Sequence, residues 1–409
     1  MWLSGVATAV GVLAVGAAVS SGAGSPQGVL DVYSSLPLHG ASRAESVAIV
    51  NGARLALAQA GGRAGQFKVK YISLDDSVAA TGQWSRAQTT HNARLVARDP
   101  KAVYYIGDLD DGASEVSIPI LNIGGVAQVS PTNTAVGLTT NYPGSLPGEP
   151  QKYYPTGVRN YLRISANDWD QAAALLATLK AEGCQRVAIA YDDTPVGAGV
   201  ADDMELNKAK YGLDIVSNTG LYGYGSDYSQ YASAIAPENP DCFLFTGTST
   251  QTAVQVTKAV AAAIPGAKLY GSSGTCSTAF TDPAQGGIPA TLDDRFECTP
   301  LPLGVTAYAG GQAFLAAYKA KYGVTNPDPY AIYGYEAMKL GLDTIRGLGP
   351  KGAKRSPVVR ALFATRNRDS VLGTYSFDQN GDTTLRAYGV YRVVGQAGVL
   401  SFVKNAFAP

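Results

Sequence analysis

Apolar runs and polar breaks alternate along most of the chain in a regular rhythm. "GVLDVYSSL" (28–36) and "QFKVKYISLDD" (66–76) are rich in β-branched and aromatic residues and predict strands. Between them, residues 45–60 place Ile49, Ala53, Ala56, Leu57 and Ala60 on one helical face. The pattern continues with a helix over 85–99, a strand over 102–109, a helix over 112–125 and a strand over 127–133. A Pro-, Gly- and Tyr-rich break, "TTNYPGSLPGEPQKYYPTG" (139–157), has no period and predicts a surface loop.

The rhythm then restarts. "NYLRIS" (160–165) is a strand, and 167–183 is a helix with Asn167 as N-cap, Gly183 at its end and a stripe of Ala172, Leu175, Leu176 and Leu179. Strands follow at 186–193, 213–222, 242–248 and 267–274, separated by helices over 197–212, 226–241 and 250–266. The tail holds helices over 311–322, 330–347 and 357–365, then a hairpin over 373–394 with its turn at 379–382. Repeated βαβ units demand parallel sheets covered on both faces. The fold class is therefore α/β, with two Rossmann-like halves of similar plan and a helical and hairpin tail.

Length supports that division, since 409 residues exceed one ordinary core. Lys+Arg and Asp+Glu are both 32, so no basic surplus points to nucleic acid. Residues 1–27 read as a signal peptide or anchor. They hold an apolar run from Val6 to Val19 and a small-residue stretch at Ser21-Gly22-Ala23, with no preceding Lys or Arg. The expected location is outside the cytoplasm, in the periplasm or at the cell surface, with no lipobox cysteine visible. Four cysteines in an exported chain allow two disulfides in three pairings. Cys184 and Cys242 each begin a strand of the second half, and Cys276 and Cys298 bracket one loop, which favours 184–242 and 276–298.

Catalytic chemistry finds little support. There is no GxSxG, no GxxxxGK[ST] and no dinucleotide fingerprint, and His39 and His91 are the only histidines. "DLDDG" (108–112) fails as a calcium loop, because its twelfth place is Pro119. No cofactor or metal is expected. What remains is position. Ligands of open parallel sheets bind beyond the carboxyl ends of the strands. Those ends here are "SSLPLHG", "GDLDDGAS" and "VSPTNTA" in the first half, and "YDDTPVGAG", "FTGTSTQ" and "YGSSGTC" in the second. They place Leu36, Gly112, Ser130 and Tyr191, and Glu45 close by, on two polar rims suited to a small solute.

In order and spacing, "NGARLALAQAGG", "YISLDDS", "YIGDLDDGAS", "QVSPTNTAVGLT", "VAIAYDDTPVGAG" and "FTGTSTQTAVQV" resemble the exported solute-binding proteins of ABC importers. The branch is that of the leucine/isoleucine/valine-binding proteins, and the resemblance covers about residues 28–400. It implies a type I periplasmic-binding clamshell whose lobes are joined by three crossovers, near Leu162–Arg163, Thr299–Pro300 and Tyr375–Ser376. One lobe would be 28–162 plus 300–375 and the other 163–299 plus 376–409. It implies a monomer that delivers a small molecule to an ABC permease, without catalysis. In amino-acid binders of this family the solute carboxylate is held by a hydroxyl at the position of Asp111 and by the turn matching Thr132 and Thr134. The amine is held by an acid where this chain has Ser273 and by an aromatic where it has Thr248. A further aromatic stands at the position of Val196. Thr134 fits, whereas Asp111, Val196, Thr248 and Ser273 depart from the pattern. An acid at 111 would repel a carboxylate in a poorly screened cleft, so the expected solute is not a plain branched-chain amino acid but one with a cationic or donor-rich end facing Asp111, an amide, or a polyol, with Glu45 as a second acceptor. The competing expectations are that Asp111 caps its helix at Gly112 and points away, with Asp108 and Asp110 solvated, that the chain is a sensor feeding a membrane receptor, and that Asp108, Asp110 and Asp111 serve an enzyme.

Overall fold

The computed structural model describes Met1 and residues 28–40, 42–78, 82–248, 250–394 and 398–407, so the expected leader at 1–27 falls almost wholly outside the described residues. The first sheet has six strands: β1 (Val29–Leu36), β2 (Arg63–Ala64), β3 (Phe67–Asp75), β4 (Ala102–Ile106), β5 (Ala127–Ser130) and β6 (Tyr161–Arg163). Their order is β2-β3-β1-β4-β5-β6. All pairs are parallel except the short β2–β3 pair. Helices α1 (Arg43–Gln59), α2 (Arg86–Arg98) and α3 (Asp111–Gly124) make the crossovers. Ser85 starts α2 by accepting from the Gln88 N–H at 3.1 Å. Gly125, at φ 68°, ends α3 in the left-handed conformation that glycine tolerates.

After α4 (Asp168–Ala181) the chain builds a second, seven-stranded sheet. It contains β7 (Arg186–Tyr191), β8 (Asp214–Gly220), β9 (Cys242–Thr246), β10 (Lys268–Gly271), β11 (Phe296–Cys298), β12 (Ala387–Val393) and β13 (Leu400–Phe407). The order β13-β12-β11-β10-β9-β7-β8 is parallel from β11 to β8 and antiparallel at the β12 and β13 edge. Helices α5 (Pro195–Tyr211), α6 (Ser229–Ile235), α7 (Thr250–Ala263) and α8 (Thr278–Thr281) complete this lobe. Both disulfides lie in it. Cys184–Cys242 joins the approach to β7 to the start of β9, with Cα atoms 5.9 Å apart, and Cys276–Cys298 ties a loop to the end of β11 at 5.6 Å.

Three later helices, α9 (Gly311–Tyr322), α10 (Ala331–Gly347) and α11 (Arg355–Phe363), return to the first sheet. One core cluster joins Val32, Val103 and Ile106 of its strands to Ile332, Met338, Val358 and Leu362 of these helices. The Tyr104 hydroxyl also donates to the Ala337 carbonyl at 2.8 Å. Helices α1 and α10 run in backbone contact, because a Cβ on Gly52 would lie 1.9 Å from the Ala331 carbonyl oxygen.

The hairpin expected over 373–394 forms elsewhere. The antiparallel pair is β12 with β13, and the segment around 379–382 carries only the isolated bridge of Phe377 with Thr383. The Asp378 carboxylate takes the Asn380 and Asp382 N–H groups at 2.8 and 2.9 Å, which curls the chain locally. Asp382 is then drawn inward to Arg163, with Nε–Oδ1 2.7 Å.

Candidate ligand-binding site

The first rim forms where β1, β3, β4 and β5 end. Ser130 closes its hydroxyl into the turn. It donates to the Asp108 carbonyl at 3.0 Å and accepts from the Thr132 and Asn133 N–H groups at 3.2 and 3.0 Å. The Thr132 hydroxyl donates to the Leu109 carbonyl at 2.8 Å. Both side chains therefore shape the turn. Leu36 is fully buried with Ile49, Val50 and Leu109, so it packs beneath the rim.

The three aspartates of "DLDDG" have three different fates. Asp108, expected to be solvated, is fully buried. Its carboxylate accepts from the hydroxyls of Tyr105 and Ser117, and burial lifts its pKa to about 7. It is buried because it directly follows a buried strand and Gly107, and three hydroxyl-bearing residues converge on it. Asp110 is the N-cap of α3 but makes no side-chain capping bond, and it is half-buried. Asp111 occupies the first helical position. It neither caps the helix nor points away. One carboxylate oxygen accepts the Thr134 and Ala135 N–H groups at 3.0 and 3.1 Å. Burial raises its pKa to about 6, and those two N–H groups and Arg163 oppose the rise.

More acids gather here. Glu45, in the first turn of α1, is pushed up to about 8 by burial and by the charges of Asp328 and Asp110. Asp76 is fully buried, lifted to about 8 by burial and by Asp108, and one of its oxygens has no partner among the described residues. The Trp84 ring lies on the helix start, where a Cβ on Gly112 would come within 2.6 Å of it.

The second rim is organised by Asp192, which sequence reasoning missed. Its carboxylate accepts the Thr194 and Thr248 N–H groups at 3.2 and 2.7 Å. Gly247, at φ 135°, is required there, since a Cβ would lie 2.4 Å from that carboxylate. Thr248 is exposed, and Ser273 is half-buried in the single turn after β10, beside Gly274 and close to Gly247. Tyr191, at the end of β7, is half-buried near Tyr222 and Asp202. The signal for Asp192 lies in "YDDT", an acid just past a strand and just before a helix.

The lobes meet at one side of these rims. The Asp168 N–H donates to the Thr134 carbonyl at 2.9 Å, and the Tyr142 and Trp169 rings lie 5.3 Å apart. A cavity of about 30 Å³ at this junction is lined by Ala135, Val136, Pro143, Gly144, Asp168, Val196, Gly199 and Asp203. The structure thus joins Asp111 to Thr134, places Val196 beside the same turn, and brings Thr248 against Gly274, the residue after Ser273. The junction cavity reaches neither Thr248 nor Ser273.

His39 does not form a relay. Its Nδ1 lies 2.6 Å from Asp75 and 3.3 Å from the Ser77 hydroxyl, so acid and hydroxyl crowd one nitrogen of an exposed ring. A triad needs them on opposite nitrogens.

Two α/β sheets covered by helices, with polar turns at their strand ends, have the two-lobe fold of periplasmic-type binding proteins. The chain belongs to the periplasmic binding protein family, whose family model matches residues 34–398. It is similar to Leu/Ile/Val-binding protein homolog 7 of Brucella abortus (strain 2308), 26% identical over 48% of this chain and 49% of the relative. The chain thus spans about half the length of that relative. It is 22% identical to the Leu/Ile/Val/Thr-binding protein of Salmonella typhimurium, over 70% of this chain and 72% of that one. Among solved structures, a substrate-binding protein of Desulfitobacterium hafniense in complex with Leu superposes with TM-score 0.74 at 18% identity, covering 92% of this chain and all of that one. A solute-binding protein of R. palustris in complex with benzoate gives 0.68 at 19%, covering 93% and 96%. The family binds substrates and is non-catalytic. No helix among the described residues is long and apolar enough to cross a membrane.

Proposed function

We propose that this chain is an extracytoplasmic solute-binding protein that closes its lobes on a small polar solute and delivers it, as a monomer, to an ABC importer. The lobes would be 28–162 plus 300–375 and 163–299 plus 376–409, turning about the three crossovers. The ligands held in the two similar solved structures, leucine and benzoate, both carry a carboxylate. This chain's solute instead presents a cationic or donor-rich end to the first rim.

One observation carries that reading. Asp111 already takes the Thr134 and Ala135 N–H groups, so the rim's paired donors are satisfied internally. A helix start with two converging N–H groups suits an anion, and here the anion belongs to the chain. Asp110 adds a second carboxylate beside it. A solute carboxylate would meet repulsion in place of donors.

Calorimetric titration of the intact protein and of Asp111→Ser with leucine, leucinamide and a short diamine tests this. The native protein should prefer the amide or the diamine. The substitution removes the repulsion and frees two donors, and a hydrogen bond to a charged group contributes roughly 1.5–3 kcal/mol. Leucine affinity should therefore rise about tenfold or more. Tight leucine binding by the native protein, or no gain in the variant, would refute the proposed solute class.

A further inference from the structure

Away from the rims, the far end of the first lobe holds a surface cavity of about 340 Å³. That lies within the range of small-molecule pockets, roughly 300–1,000 Å³. It forms where the end of α1, the turn after β2 and one face of α10 meet. The length of α1, roughly 25 Å for its 17 residues, separates it from the first rim. Tyr335, Lys339, Asp343 and Arg346 follow one another along α10 at helical spacing and all line it. Ala56, Ala60, Ala64 and Leu342 supply its apolar lining.

The charges here do not balance. Arg63, Lys339 and Arg346 face the cavity with a single carboxylate, Asp343. Asp343 is already shared by Lys339 at 3.1 Å, by Arg346 at 2.5 Å and, from outside the cavity, by Arg368 at 3.0 Å. Arg63 has no carboxylate partner among the described residues, and its guanidinium reaches the Gln66 carbonyl at a long 3.4 Å. It is not needed as a helix cap either. The last carbonyls of α1, on Ala56, Leu57 and Ala58, take the N–H groups of Ala60, Gly62 and Gly61 at 3.0, 2.9 and 3.0 Å.

The donors stand at two stations. The turn after β2 lies against α10, where a Cβ on Gly65 would come within 3.3 Å of the Arg346 Cα, and this brings Arg63 and Arg346 to one end. Lys339 stands two helical turns earlier, roughly 10 Å along the axis. One turn earlier still, the Tyr335 hydroxyl donates to Gln59 Oε1 at 2.6 Å, which leaves the Gln59 amide nitrogen as a further donor. A pair of guanidiniums suits one carboxylate. An ammonium and an amide suit a second, and the alanines between them suit a few methylenes. A phosphate ion would fill one station and leave the apolar lining bare.

We propose that this cavity is a second binding site, for a short dicarboxylate held by Arg63 and Arg346 at one end and by Lys339 at the other. The site is separate from the rims, and its test stands whatever solute they hold.

Calorimetric titration of the full chain with succinate, glutarate and inorganic phosphate, at pH 7.5 and low ionic strength, tests it. Two charge-assisted arms amount to a dissociation constant of about 1 mM or tighter, and one of the two dicarboxylates should reach it at a single site. Arg63→Gln and Arg346→Gln should each weaken that binding about tenfold or more. The Arg346 side chain is 63% exposed, so its replacement leaves the core untouched. Lys68 pairs with Arg63 across the β2–β3 ladder but is exposed and outside the cavity, so Lys68→Gln should retain binding. Failure of the native protein to bind either dicarboxylate, unchanged affinity in Arg346→Gln, or an equal loss in Lys68→Gln would overturn the site. Phosphate bound as tightly as the dicarboxylates would overturn the assigned ligand class.

Discussion

Arg163 ends β6 and is fully buried, holding Asp382, from the segment between α11 and β12, at 2.7 Å. It also donates to the Ala135 carbonyl at 2.7 Å, so one guanidinium ties β6 and that late segment to the first rim. Removing one member of a buried pair strands the other, at a cost of about 3–5 kcal/mol. Arg163→Met should therefore lower the urea midpoint by that equivalent, and a loss under about 1 kcal/mol would contradict the assigned role. At this scale the sequence was only partly legible. "DLDDG" announces three acids at a helix start; Asp111 reads there as an acid facing the solute, with a helix cap as the rival, and Asp108 and Asp110 read as solvated. Their fates differ because their partners come from far along the chain. Asp111 is held by residues 23 and 24 positions later, and Asp108 is enclosed by α3 and its own strand. Asp203 was invisible for the same reason. Its position in "GAGVADDMELNKAKYG" looks like a helix surface, and only packing against the 143–144 loop reveals it as buried.

Among elements, the hydrophobic rhythm was a better guide, because every strand of a parallel sheet is a short apolar run bounded by turn residues. The paired cysteines were legible too, since adjacent strand starts bring 184 and 242 together. The hairpin was misplaced because "DQNG" is a strong turn signal that curls onto Asp378 without extending a sheet. The disulfides invite a comparison. Their sequence separations are 58 and 22 residues, and loop-closure entropy gives about 4 and about 3 kcal/mol for loops of those lengths. Replacing Cys184 and Cys242 together by Ala should thus destabilise the protein more than replacing Cys276 and Cys298. Guanidinium melts of the two double variants read this directly, and a reversed ranking would count against it.

For the whole molecule, the crowding of carboxyls sets the response to pH. Glu45, Asp76, Asp108, Asp110, Asp111, Asp168 and Asp203 all have raised values, from about 6 to about 8. A carboxyl whose pKa rises on folding binds its proton more tightly in the folded chain. Stability is then greatest below its ordinary value and falls as pH rises through the folded one. Asp75, Asp99, Glu182 and Asp343 are shifted down, and their contribution is lost only as pH falls below the ordinary carboxylate range. The melting temperature without solute should peak near pH 5 and decline to pH 8, by linkage. Scanning calorimetry across that range checks the sign, and a rise towards pH 8 would exclude it.

The return of α9, α10 and α11 to the first sheet also sets an order of events during synthesis. Strands β1 to β6 are made early, yet the residues that cover one of their faces lie more than 130 positions beyond β6. A growing chain must keep that apolar face shielded while β7 to β11 pair among themselves. The first half is therefore completed only once α9 to α11 have been made, and the second only once β12 and β13 follow, so a ribosome stalled before α9 would display two unfinished halves, each waiting for elements from the far end of the chain.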